Sequence, residues 1–183
     1  MTALLRFDNV ALRRGGRLLF EDLSFSLGPG ERLHVAGPNG SGKSSLIRLA
    51  AGLLQPEAGQ VEHAGVALAD DAIALDRELP LSRALRFWGN NEDDALKSLG
   101  LSHLSQVPVR LLSSGQLKRA TLARVVASGA RLWLLDEPLN ALDLDAARHL
   151  TEAIGRHLES GGAVVAASHQ PLQGEWRTLE LKA

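Results

Sequence analysis

The sequence predicts an α/β domain with a mixed, largely parallel sheet, an antiparallel β flank and a short α-helical insertion. Three observations predict it. The runs 131–135 and 163–167 are apolar almost throughout, as strands buried on both faces must be. Each stands beside a stretch with helical periodicity, so strand and helix alternate along the chain. The residues up to about 75 instead break into short, partly alternating segments punctuated by Gly and Pro.

The elements follow in order. Residues 5–12 alternate in part and end at the Gly15-Gly16 turn. Leu23, Phe25 and Leu27 alternate with Ser24 and Ser26 until Gly28-Pro29-Gly30 closes the strand. Residues 31–36 form a strand that feeds a Gly-rich loop. From Lys43 the period becomes helical, with Leu46, Leu49, Ala50 and Leu53 on one face and Gln55-Pro56 as the stop. Short strands return over 59–75, around Val61, Val66 and Ile73-Ala74-Leu75. Helices are expected over 81–88, 92–99 and 116–128. Strand 131–135, helix 145–159, strand 163–167 and a last short strand over 176–181 complete the chain. The boundaries expected are one domain over 1–183, its core and β flank formed by 1–75 and 129–183, and an insertion over about 76–128.

Composition narrows the function. The chain has 183 residues, 45% apolar and 22% charged, with a formal net charge of -1. A balance this even gives no global attraction to nucleic acid or anionic lipid, and no nucleic-acid partner is expected. The absence of cysteine excludes disulfide scaffolds, thiol catalysis, iron–sulfur clusters and Cys-based zinc sites. No apolar run reaches the ~18 residues of a membrane span. Residues 1–8 meet Arg6 and Asp8 too early for a secretory signal, so a reducing, cytosolic setting is expected.

Gly37-Pro38-Asn39-Gly40-Ser41-Gly42-Lys43-Ser44 fits G-x-x-x-x-G-K-[ST] between an apolar strand and an amphipathic helix. Glycines there let successive N–H groups turn inward around phosphates, and the helix N-terminus adds partial positive charge. Lys43 supplies a full charge to the β and γ oxygens. The Ser44 hydroxyl suits Mg²⁺, and Ser45 is placed to donate to a phosphate oxygen. A Gly-rich turn that matches by chance would lack this strand, loop and helix in register. The chain is expected to bind a nucleoside triphosphate.

The strand 131–135 ends in Asp136-Glu137. A carboxylate at the C-terminal end of such a strand is placed to hold the Mg²⁺ shell, which assigns Asp136. Glu137, one residue on, is placed to orient and deprotonate a water. By itself the pair would be a solvated acidic turn before Pro138; beside the phosphate loop it completes the parts that phosphoryl transfer to water requires.

Leu112-Ser113-Ser114-Gly115-Gln116 opens the helix about twenty residues earlier. Here the sequence resembles the ATP-binding cassette (ABC) ATPases over nearly the whole chain, with the motifs in family order. The five residues are similar to the signature L-S-G-G-Q, with Ser114 in place of the first Gly. Asn140-Ala141-Leu142-Asp143 looks like the D-loop, and His169 like the switch histidine. Each has a plain alternative: a helix cap for Ser113 and for Asp143, a structural role for a lone histidine. The resemblance implies ATP and Mg²⁺ as ligands and a head-to-tail pairing with a second copy. Each nucleotide then lies between one chain's phosphate loop and the other's Ser113, Ser114, Gly115 and Gln116. It further implies Glu137 as general base, with His169 holding the γ-phosphate and the attacking water.

Two family features are missing. Tyrosine is absent, and Arg13-Arg14-Gly15-Gly16 stands where an aromatic usually stacks on adenine. Arg14 is either its substitute, through its planar guanidinium, or a solvated turn residue. The usual glutamine after the strand that follows the first helix is also missing, with Asp76 or Glu78 as possible oxygen donors.

The compact chain and Ala167-Ser168-His169-Gln170-Pro171-Leu172 resemble the haem-exporter ATPases of bacterial cytochrome c maturation. That resemblance implies a peripheral protein on the cytoplasmic face of the inner membrane, bound to a separate integral membrane subunit. Haem itself need not touch this chain: His34, His63, His103, His149 and His157 show no haem signature and suit surface or capping roles. Phe87 and Trp88, in the insertion where family cassettes meet membrane partners, are either exposed aromatics or core packing of that short helix. The other readings are an ATPase of another exporter, a soluble ABC protein acting on ribosomes or DNA, and a non-hydrolysing ATP-binding module.

Overall fold

The computed structural model describes residues 3–70, 72 and 74–182. Two sheets organise it. Strands β1 (Leu5–Arg14), β2 (Arg17–Leu27) and β4 (Ala58–His63) form an antiparallel sheet in the order β2-β1-β4. Strands β3 (Arg32–Ala36), β5 (Val66–Ala69), β6 (Leu132–Asp136), β7 (Ala163–Ala167) and β8 (Arg177–Glu180) form a wholly parallel sheet in the order β5-β6-β7-β3-β8. The predicted α/β class with its antiparallel flank is the observed one.

The helices are α1 (Lys43–Ala50), α2 (Leu81–Arg86), α3 (Glu92–Ser98), α4 (Ser114–Ala127) and α5 (Leu144–Glu159). The central strands show why their sequence is apolar without alternation. Trp133, Leu135, Val164 and Ala166 enter one core, shared with α4, α5 and the insertion. Leu132, Leu134, Val165 and Ala167 enter the other, shared with α1 and the antiparallel sheet. Successive side chains point to opposite faces, and both faces are covered.

The front of the chain is a hairpin. Gly15 and Gly16 both have positive φ, the geometry of a two-residue turn whose twist matches its strands, and Arg14 pairs with Arg17 across it. Strand β2 begins at Arg17, well before the alternating run that marks its second half.

Two expectations need correction. Leu53 is 61% exposed and lies outside α1. Helix α1 ends two turns in, because Gly52 at φ +70 turns the chain: Gly52 N–H donates to Leu49 O and Leu53 N–H to Arg48 O. That pair of bonds caps the helix before Gln55-Pro56 is reached. The strand expected around Ile73-Ala74-Leu75 is not formed at Ala74 or Leu75, while Ile73 lies outside the described residues. Of the two readings of Phe87 and Trp88, Trp88 takes the packed one: it is half-buried, its indole N–H donates to Ala74 O at 3.1 Å and its ring lies 4.5 Å from the Arg124 guanidinium. Phe87, 83% exposed, is the solvent-facing one.

Two histidines also leave the surface and capping roles expected of them. His157 stacks on Trp133 with centroids 3.8 Å apart, and His34 in β3 bonds through Nε2 to Ser168 O at 3.0 Å.

Candidate functional site

In a parallel sheet all carboxyl ends lie along one edge, where ligands bind. Strand β3 leads into Gly37 there, β6 into Glu137, and β7 into Ser168 and His169. Strand order brings together what the chain separates by 32 residues: β6 and β7 are neighbours, and His169 Nδ1 lies 2.9 Å from Glu137 Oε2.

The phosphate loop is built tightly. Gly37 has φ +142, and a Cβ there would fall 2.5 Å from Leu181 O and 2.7 Å from Ser41 Oγ, so only glycine fits. Ser41 is buried, and its hydroxyl has no hydrogen-bond partner among the described residues. Gly42, at φ +102, leads into α1. The Lys43 ammonium folds over the loop, donating to Gly37 O at 2.8 Å and Pro38 O at 3.2 Å. Lys43 is only 7% exposed, so its charge is weakly screened and phosphate oxygens would replace these carbonyls with a stronger, charge-assisted bond.

A cleft of about 460 Å³ joins Arg14, Asn39, Gly40, Gly42, Lys43, Ser44, Ser45 and Glu137, with Leu19 as its apolar wall. Sequence reasoning missed Leu19: only the packing of the hairpin over the start of α1 brings its side chain 3.3 Å from where a Gly42 Cβ would stand. Arg14 lines this cleft and is solvent-exposed, so both of its readings stay open.

Glu137 sits at φ +47, a strained value for a non-glycine residue. Such strain persists where surrounding bonds over-determine it. Here its N–H donates to Ala167 O at 2.8 Å, its carbonyl accepts from Asn140 N–H at 3.2 Å, and its carboxylate meets His169. Asp136 ends β6 directly before it.

The signature residues lie elsewhere on the chain's surface and do not line the cleft. Ser113 is the N-cap of α4: its Oγ accepts from Gln116 N–H at 3.3 Å, while its own N–H donates to Gln116 Oε1 at 2.9 Å. This reciprocal pair is a capping box. Ser114 is exposed and Gly115 half-buried. A Cβ on Gly115 would meet Ala141 O at 3.3 Å, so the Asn140–Asp143 segment leans on the signature. Asp143 caps α5, accepting from Ala146 N–H at 2.8 Å. Both capping alternatives are thus realised. Ser113→Ala should lower stability by about 1 kcal/mol through loss of the cap. Urea unfolding would measure it, and an unchanged midpoint would mean that the box does not hold α4.

Neither Asp76 nor Glu78 is among the residues lining the cleft. Asp76 Oδ1 accepts from Glu78 N–H at 3.0 Å, and Glu78 pairs with Arg110 at 3.1 Å. Both carboxylates serve the insertion's own loop.

The sequence profile of the ABC transporter family matches residues 20–140. The cytochrome c biogenesis ATP-binding export protein CcmA of Sphingopyxis alaskensis is 55% identical over 177 residues, covering 92% of this chain and 91% of that protein. Its namesake from Novosphingobium aromaticivorans is 56% identical, covering 95% and 93%. Among solved structures, an ABC transporter ATP-binding protein from Pyrococcus furiosus superposes with a TM-score of 0.84 over 97% of this chain and 96% of that one, at 22% identity. The fold therefore matches at low identity, and the sequence matches at high identity across nearly the full length. The chain belongs to the ATP-hydrolysing subunits of the ABC transporter family and, within it, to the cytochrome c biogenesis ATP-binding export proteins.

Proposed function

We propose that this chain drives haem export, or release of a haem-loaded chaperone, in the biogenesis of c-type cytochromes. The observation that carries the reading is identity above 50% to two export proteins of that system over more than nine-tenths of each chain.

The residues divide the chemistry. Lys43 and the backbone N–H groups of 39–45 bind the β- and γ-phosphates. Ser44 and Asp136 offer two hard oxygens, the small protein share that Mg²⁺ takes beside phosphate oxygens. Bound Mg²⁺ would neutralise charge developing on the transferred phosphoryl group. Glu137 accepts the proton of the attacking water, and His169 fixes the carboxylate that receives it. Arg14 stacks on the adenine. Arg14→Ala should therefore weaken ATP binding about threefold to tenfold, the range of a modest cation–π contact. Equilibrium binding of a fluorescent ATP analogue would measure it; unchanged affinity would return Arg14 to the solvated turn.

One cleft leaves the γ-phosphate open on the side away from its own loop. A second copy, placed head to tail, presents Ser113, Ser114, Gly115 and Gln116 at a helix N-terminus and closes it. Asp143, although a cap in its own chain, lies beside that seam. ATP then holds the halves together and hydrolysis parts them.

Among the described residues no helix is long and apolar enough to cross a membrane. A separate integral membrane subunit, with this chain peripheral on the cytoplasmic face of the inner membrane, completes the reading. A mostly apolar groove of about 420 Å³ between the β5 edge and the insertion, with Leu53, Leu68, Trp88 and Arg124 among its walls, suits that subunit. Phe87 stands beside Trp88 with ring centroids 5.5 Å apart. Co-purification from native membranes with ATP-trapped Glu137→Gln tests the reading. Recovery of a haem-handling membrane complex supports it; recovery of a different exporter, of ribosomes or of DNA overturns it.

A further inference from the structure

A histidine side chain ties the strand that feeds the phosphate loop to the strand that carries His169. His34 stands in β3, three residues before Gly37. Leu33 and Val35 on either side of it enter the core shared with α1, so alternation turns the imidazole to the opposite face of the sheet. Its register partner on β7 is Ala166, and Ser168 follows two residues further on. His34 Nε2 lies 3.0 Å from Ser168 O. A carbonyl only accepts, so the proton of this bond is on Nε2.

The bond falls where the sheet's own ladder gives out. Ser168 N–H reaches Val35 O only at 3.4 Å, a long contact. Ser168 is 1% exposed, so its carbonyl needs a donor from the protein. Its Oγ accepts from Gln170 N–H at 3.0 Å, which closes a turn with His169 at its middle. His169 Nδ1 then meets Glu137 Oε2 at 2.9 Å. The His169 side chain is 52% open to solvent, so little packing holds its ring and its direction depends on the turn beneath it.

We propose that His34 is a positioning residue for ATP hydrolysis: by holding the Ser168 carbonyl it fixes the turn that aims His169 at Glu137. His34 is not among the residues lining the nucleotide cleft and acts through Ser168. Because it belongs to the strand that enters the phosphate loop, it also sets His169 in register with that loop. This role rests on the hydrolytic parts proposed for Glu137 and His169.

Steady-state phosphate release by the full chain, with kcat and the KM for ATP determined separately, tests it. His34→Leu removes the donor. Its kcat should fall about 10- to 100-fold, the cost of a displaced catalytic group, while KM stays within about twofold. His34→Gln offers an amide N–H at similar reach and should restore kcat to within about threefold of the parent. If His34→Leu does not fold, His34→Met takes its place, and His169→Ala is measured beside them. With turnover reduced in His169→Ala, three results overturn the role of His34 alone: a kcat for His34→Leu within about twofold of the parent, an equal loss in His34→Gln, or a loss carried by KM. Unchanged turnover in His169→Ala overturns the reading of His169 and this role with it. In the parent, ¹H–¹⁵N correlation of the imidazole nitrogens should place the His34 proton on Nε2; a proton on Nδ1 alone removes the bond and overturns the proposal.

Discussion

Replacing Glu137 with Gln is expected to lower ATP turnover by about 10²- to 10⁴-fold, the contribution of a positioned general base. Glutamine keeps the shape of the side chain and its reach to His169, 2.9 Å away, but cannot accept a proton from water. The backbone at φ +47 is held by Ala167 and Asn140 and is untouched by the change. Lys43 and the phosphate loop are likewise intact, so ATP affinity should stay within about threefold, a shift under 1 kcal/mol. Phosphate release in the steady state, beside equilibrium ATP binding, separates the two quantities. A fall in turnover of less than tenfold would move the proton to another acceptor. Because the variant binds ATP and does not consume it, the paired form should also accumulate with ATP and Mg²⁺.

Lys43→Ala is expected to act on binding rather than on the proton. The ammonium is 7% exposed and positioned by two loop carbonyls at 2.8 and 3.2 Å. A charged hydrogen bond of this kind is worth about 1.5–3 kcal/mol, so ATP affinity should fall by about 10- to 100-fold. The loss should be confined to nucleotides that carry β- and γ-phosphates. AMP, which offers neither, should bind the variant and the parent equally. Isothermal titration with ATP and AMP checks both halves; an equal loss for AMP would mean that the variant has disturbed the loop instead of removing a phosphate contact.

Local features were legible in the sequence, and features made by distant packing were not. The strands β6 and β7 announce themselves because burial on both faces leaves an unbroken apolar run. The phosphate loop is contiguous, so its glycines, Lys43 and the first turn of α1 can be read together. The end of α1 was misread because Leu53 continues the apolar period, while the Gly52 cap that excludes it depends on backbone bonds periodicity does not report. Trp88 and Phe87 are adjacent and chemically alike; Arg124, 36 residues later, decides which is packed. Glu137 and His169 could each be named, but their contact follows from the pairing of β6 with β7. Leu19 entered the cleft only through the placement of the front hairpin. The Trp133–His157 stack joins a strand to a helix and left no local trace.

The two capping interactions bear on how the signature works. A helix whose first N–H groups are already ordered by Ser113 and Gln116 is preorganised to receive an anion. The carbonyl of Ala141 over Gly115 sets that helix beside the segment following Glu137, so the signature and the strained acidic turn are neighbours. A cap and a phosphate-facing role are therefore compatible for Ser113.

Each hydrolytic site is proposed to be shared between two copies of this chain. Mixing two variants, Lys43→Ala and Gly115→Asp, at an ATP concentration too low for either alone to turn over tests it through the ATPase rate. In a head-to-tail pair of the two, one site carries both defects and the other carries an intact Lys43 opposite an intact Gly115. Activity absent from each variant alone should return on mixing and rise with the concentration of the second variant. A mixture as inactive as its components would contradict the shared site.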